Sequence, residues 1–201
     1  MPQEITLYID KSSLTTDDPA LAMHLLQRLC SVPTDSPVAA PANDGALAAI
    51  HASTLPALGA PLGGGKFVSR YWLGAEEFAL VDLGALAEIS GRWGKSGQAV
   101  ATTHGDGEAN TLDMAEAGSE IAAKVLELGA HIPSALESHL LMVAKQAGLI
   151  TDLREDCTYW TSSQCSAHFA CIVDFEYGWQ DFSVKRIERP VRPVRKIRIL
   201  H

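Results

Sequence analysis

Tyr159-Trp160-Thr161-Ser162-Ser163, Val173-Asp174-Phe175-Glu176-Tyr177-Gly178-Trp179-Gln180 and Arg189-Pro190-Val191-Arg192-Pro193-Val194-Arg195 make up the stretch that decides the fold. The first run is aromatic and rich in hydroxyls, which suits a strand whose rings bury while its hydroxyls satisfy neighbouring backbone groups. Residues 169–175 read as a second, apolar strand. Glu176-Tyr177-Gly178-Trp179 then supplies a glycine where a hairpin turn needs positive φ, so residues 180–184 are the expected antiparallel return. From Val191 the chain alternates apolar and basic residues. Pro190 and Pro193 cannot donate to a ladder and place an edge or bulged strand start there.

Working outward, residues 66–73 and 77–83 read as strands paired across Gly74-Ala75. Asn110 or Thr111 is expected to cap one helix through Leu128, stopped by Gly129. Ser134 with Glu137 forms a capping box that opens a second helix ending near Gly148. At the start of the chain, residues 4–10 alternate as a strand, and Asp18-Pro19 opens a helix to about Cys30. Residues 31–41 are rich in proline and small side chains and read as an extended connector. The layout is α+β, with two helices and a cluster of short antiparallel strands. Residues 1–57 form a strand-helix appendage with its connector, and 58–201 the main domain. The appendage either docks the domain onto something else or packs on the same core.

A hydrophobic content of 47% in 201 residues is enough for a full core, and no apolar run approaches a membrane span. The start, Met1-Pro2-Gln3-Glu4-Ile5, lacks the basic and apolar regions of a signal peptide, so Sec export is not expected. The net charge of -8 hides a division. Residues 185–201 carry seven basic residues against one acid, +6, which leaves nine against 23, or -14, before them. The regular spacing of the basic residues favours pairing within the chain or between subunits over nucleic-acid binding. Cys30, Cys157, Cys165 and Cys171 show no C-x-x-C spacing and are expected as free buried thiols rather than a zinc or disulfide site.

The order of these motifs resembles the C-terminal domain family of collagen-like adhesins, a C-type-lectin-like group of bacteria and phages related to the formylglycine-generating-enzyme fold. The resemblance rests on Trp160-Thr161-Ser162, Val173-Asp174-Phe175, Gly178-Trp179-Gln180 and Pro190 to Arg195. It extends upstream, in a form similar to phage-encoded members, through residues 58–65, Phe78-Ala79-Leu80-Val81 and residues 106–119. It thus covers roughly residues 58 to 199. The family pattern departs at His131-Ile132-Pro133-Ser134-Ala135-Leu136-Glu137-Ser138, where proline, serine and glutamate remain but a tryptophan, an arginine and a leucine are gone. The segment before Tyr159 is also short, which implies a compact docking version with reduced carbohydrate-binding equipment.

The resemblance implies a binding face on the loops of the C-terminal cluster. Gln164, Ser166, His168, Phe169, Glu176, Tyr177, Trp179, Asp181 and Phe182 are the corresponding candidates. Strand alternation turns Phe169 and Phe182 toward the core, which leaves Tyr177 and Trp179 as the stronger pair. His104, Asp106 and Glu108, followed by Asn110 and Asp113, space oxygen ligands superficially as a calcium loop does, but without its full spacing or distal glutamate; a turn and a helix cap suffice to account for them, and a bound calcium is the lesser reading. Ser162 and Ser163 with His168 lack a nucleophile elbow and an orienting acid. The copper-binding cysteine motif of formylglycine-generating enzymes has no counterpart around Cys157, Cys165 or Cys171, and the seven histidines show no i, i+4 pair.

The expected function is therefore non-enzymatic and needs no cofactor: a phage or prophage protein, tail- or capsid-associated in the virion, that binds a protein or a cell-surface glycan. Such components are commonly homo-oligomers, often trimers. The alternative is an intracellular phage effector that binds and inhibits a host defence protein, its acidic body mimicking nucleic acid.

Overall fold

The computed structural model describes residues 48–201 and, before them, the strands 5–9 and 12–16. The chain divides into two units, Met1–Asp44 and Gly45–His201; the division expected from sequence lay at 57/58. In the first unit β1 (Ile5–Ile9) pairs antiparallel with β2 (Ser12–Thr16), Leu7 opposite Leu14. β1 falls where a strand was expected, and β2 was not foreseen. The expected helix at 18–30 and the connector at 31–41 lie outside the described residues.

The second unit is α+β. Its largest sheet has the order β3 (Ala49–His51), β12 (Val194–Leu200), β6 (Glu76–Asp82), β5 (Gly65–Leu73) and β4 (Pro61–Leu62). β5 and β6 pair antiparallel across Gly74, whose φ of 60° is the left-handed value the turn requires. β6 is apolar on both faces because both are covered. Phe78 and Leu80 join a core with Tyr71, Leu141, Met142, Tyr159, Val173 and Phe175, while Ala79 and Val81 join Phe67, Ile197 and Ile199 on the other side.

Three helices follow among the described residues: α1 (Gly107–Glu116), α2 (Glu120–Glu127) and α3 (Ala135–Gln146). The single helix expected through Leu128 is thus two. Gly118 at φ 84° breaks it, and Asp106, not Asn110 or Thr111, caps its start by accepting from Ala109 N–H at 3.1 Å. Asn110 lies inside α1, fully buried, and bonds Thr103 and Ser162 instead. The capping box at Ser134 and Glu137 is present, and α3 ends before Gly148 at φ 73°.

β8 (Thr158–Gln164), β9 (Phe169–Asp174) and β10 (Gln180–Val184) form an antiparallel sheet with β9 central. The hydroxyls of β8 do what the sequence suggests. Thr161 Oγ1 donates to Cys171 O, and Ser163 Oγ donates to Thr103 O while accepting from Ala135 N–H. Trp160 is fully buried with Trp93, Met114, Ile121, Val125 and Ile172, a core that α1 and α2 close.

The basic strand expected from Val191 onward proves to be two strands in different sheets. β11 (Glu188–Val191) pairs with β7 (Ile89–Arg92), and β12 pairs with β6 and, in parallel, with β3. Arg192-Pro193 is the crossing point, where the missing proline N–H ends one ladder before the next begins.

Candidate functional site

The turn between β9 and β10 is built from its own backbone. Gly178 holds φ at 79°, Gly178 N–H donates to Asp174 O at 3.0 Å, and Asp174 N–H donates to Trp179 O at 3.0 Å. The Asp174 carboxylate accepts from Glu176 N–H at 2.6 Å and from Tyr177 N–H at 3.3 Å. A Cβ at 178 would sit 3.0 Å from the end of the Met142 side chain on α3, and Gln180 Nε2 donates to Ala135 O at 2.7 Å, so the turn is braced along that helix. Tyr177 and Trp179 project from it with 73% and 42% of their surface exposed. Leu136 and Val143, on the outward side of α3, are exposed as well.

The remaining candidates divide. Ser166 and His168 lie in the loop between β8 and β9, at the opposite end of β9 from the turn, roughly 20 Å away at about 3.4 Å per residue. Ser166 Oγ accepts from the N–H groups of His168 and Phe169, and His168 Nδ1 lies 3.0 Å from Ser96 Oγ. Gln164 is a bracket: its side chain accepts from Val100 N–H, donates to Val100 O and accepts from Lys185 Nζ. Asp181 is exposed on β10 and accepts from Phe182 N–H. Phe182 is 59% exposed, not turned into the core as alternation suggests, because β10 is an edge strand; its ring meets Phe169 edge-on at 5.5 Å. Ser162 and Ser163 are wholly buried and engaged with Asn110 and Thr103, while His168 meets Ser96 instead.

Among the weak metal candidates, Asp106 and Glu108 hold the Lys196 ammonium at 2.7 and 3.2 Å. Burial raises the Asp106 carboxyl, but Lys196 and Ala109 N–H outweigh it and hold it below the usual carboxylate range. His104 is exposed and contributes its carbonyl to Leu136 N–H. The other cations of β12 are engaged too. Arg195 donates to the carbonyls of Gly63, Leu128 and Gly129, and Arg198 pairs with Glu76 at 2.6 Å. This is the internal pairing that the spacing of basic residues suggests.

Two buried polar clusters were not legible as clusters. Arg192, fully buried, meets Asp82 at 2.6 and 2.8 Å, Glu88 at 3.0 Å and Asp152 at 2.6 Å. Glu137, also fully buried, accepts at Oε1 from Tyr71 Oη at 2.5 Å and from His131 Nε2 at 3.1 Å, and at Oε2 from Ser134 N–H at 2.8 Å. Burial pushes the Glu137 carboxyl up, yet His131, Tyr71 and Ser134 outweigh it and hold it below the ordinary glutamate value. Above this cluster lies a cleft of about 320 Å³ lined by Phe78, Glu108, His131, Arg195, Lys196 and Arg198.

No family model, curated protein or solved structure matches the chain.

Proposed function

We propose that the second unit is a C-type-lectin-like, non-enzymatic binding module of a phage or prophage particle, engaging a protein or cell-surface glycan through the β9–β10 turn. The observation that carries this is the presentation of Tyr177 and Trp179: two large amphipathic rings exposed on a turn whose backbone is bonded and braced against α3. Rigid aromatic anchors give up little conformational freedom on binding and pair readily with sugar rings or apolar protein pockets. The motif order from Trp160 to Arg195 supports the lectin-like scaffold.

The test is binding of the purified chain to a glycan panel and to intact bacterial cells, with Y177A/W179A alongside wild type. Loss of about 30-fold or more in affinity is expected, with an unchanged melting curve. Equal binding by the double variant refutes the role of the turn. Mass spectrometry of purified virions from a producing lysogen tests the particle, and absence of the chain there rejects it.

One observation favours the second reading, an intracellular effector that inhibits a host defence protein: the charge of -14 over residues 1–184, from nine basic against 23 acidic residues. A pull-down from host lysate that yields a stoichiometric partner, lost when acidic residues are neutralised, selects it.

A further inference from the structure

Two cysteines meet where β8 runs into β9. Cys165 Sγ and Cys171 Sγ lie 2.8 Å apart. Both residues are pinned by backbone bonds: Cys165 N–H donates to Phe169 O at 3.0 Å, Cys171 O accepts from Thr161 Oγ1 at 3.2 Å, and Cys171 is paired with Phe182 in the β9–β10 ladder. Hairpin geometry, not a flexible approach, brings the sulfurs together. A disulfide needs about 2.05 Å between sulfurs, so closure is a small movement.

The two thiols differ in access. Cys165 is exposed and Cys171 is buried, while Cys157, half-buried, sits apart beside Arg154 and Asp156. The exposed member is thus open to an external disulfide and the buried one is placed behind it. The Lys185 ammonium lies alongside, donating to Gln164 Oε1 and to Gln98 O at 2.8 Å. Burial draws Lys185 down to about 8, and the charge of a Cys165 thiolate acts in the opposite direction, favouring the ammonium.

We propose that Cys165 and Cys171 form a thiol–disulfide exchange site that accepts a low-molecular-weight disulfide of the glutathione class and closes into an intramolecular disulfide. In the first step Cys165 loses its proton and its sulfur attacks one sulfur of the small disulfide. A mixed disulfide forms, and the other half leaves as a thiolate that takes up a proton. Cys171 then loses its proton and attacks Cys165 Sγ, expelling the second small thiol. Two protein thiols are oxidised to one disulfide, one small disulfide is reduced to two thiols, and both protons end on the released thiols. The Cys171 thiol is pushed up to about 12, first by burial and then by its contact with Cys165. Tying Cys165 into the mixed disulfide removes the second cause just before Cys171 must react.

The experiment equilibrates the full chain, wild type, C165S and C171S, with reduced and oxidised glutathione in set ratios, traps free thiols by alkylation and maps the peptides. Wild type is expected to give a Cys165–Cys171 linked peptide and a mass lower by about 2 Da, without retained glutathione. C171S is expected to stop at glutathione on Cys165, and C165S to leave Cys171 unmodified. From wild-type mixed disulfide, ring closure is expected to quicken by up to about tenfold per pH unit as the Cys171 thiolate fraction rises. Cys165 and Cys171 both still alkylated under the most oxidising ratio, glutathione retained on Cys165 in wild type at equilibrium, or Cys165 linked to a second chain would each overturn the proposal.

Discussion

Replacing Glu137 with glutamine removes one charge from a carboxylate that has no exposed surface and serves three donors, Tyr71 Oη, His131 Nε2 and Ser134 N–H. An amide cannot serve all three. With its oxygen toward Tyr71 and His131, its NH₂ faces Ser134 N–H and the side-chain half of the capping box is lost, leaving only Glu137 N–H donating to Ser134 Oγ; flipped, the NH₂ faces Tyr71 Oη and His131 Nε2. Either way a buried donor is left unpaired or the Tyr71 hydroxyl and the His131 ring must reverse their roles, at about 1–3 kcal/mol, and the remaining bonds lose their ionic character at roughly 1 kcal/mol each. E137Q is therefore expected to lower stability at neutral pH by about 3 kcal/mol, read as a shift in urea midpoint at constant slope.

The pH dependence gives the sharper test. Glu137 has a folded-state pKa below its ordinary value, so the stability from its ionised form is fully present above the unfolded value. It is lost as pH falls through the folded one. The gap between wild type and E137Q should thus be widest near neutrality and narrow below the ordinary glutamate value, by at most about 1.4 kcal/mol per pH unit. Asp106 and Glu108 at the start of α1 and Lys196 on β12 face the same region and are present in both proteins, so only their coupling to the lost charge enters the difference. A gap that stays constant from neutrality down to acid pH would refute the buried, ionised role assigned to Glu137.

Three other outcomes follow from the same packing. R192M is expected to cost about 3–5 kcal/mol in urea unfolding, since it leaves the Asp82 carboxylate, 4% exposed, without its guanidinium. G118A should cost about 1–2 kcal/mol from the positive φ alone, because a Cβ there meets only the Lys95 ammonium at 4.0 Å; its circular dichroism should show no helix gained by fusing α1 to α2. Lys185 is drawn down to about 8 by burial, so the unfolded chain binds the extra proton between there and the ordinary lysine value. Wild-type stability relative to K185M should rise across that window in urea titrations, and a fall would contradict the enclosure of the ammonium.

Local chemistry was legible in the sequence, and long-range chemistry was not. Gly74 and Gly178 announce their turns because only positive φ closes them, and Ser134 with Glu137 announces a helix start because both halves of the box lie within one turn. The break at Gly118 is harder to see, since the helical period of α2 resumes at once on the far side. Pro193 signals an interruption, but nothing local says that the chain changes sheets there. Asp82, Glu88 and Asp152 converge on Arg192 from far along the chain, at sequence separations of 110, 104 and 40. Of the candidate site, Tyr177 and Trp179 were recognisable from the turn that displays them. The separation of Ser166 and His168 from that turn follows from the length of β9 between them, which residue type alone does not give.

The parallel pairing of β3 with β12 also has a mechanical side. Ala49 lies beside Arg198 and His51 beside Leu200, so the strands run the same way. The chain comes in ahead of β3 and goes out after β12. A pull between Ala48 and His201 therefore drags the two strands lengthwise past each other, loading all their bonds at once instead of peeling them singly. β12 passes the load on to β6, with which it is paired from Val194 to Ile199. A tether strained in this way holds until it yields in one event, at a pace set by the unfolding rate and not by equilibrium stability.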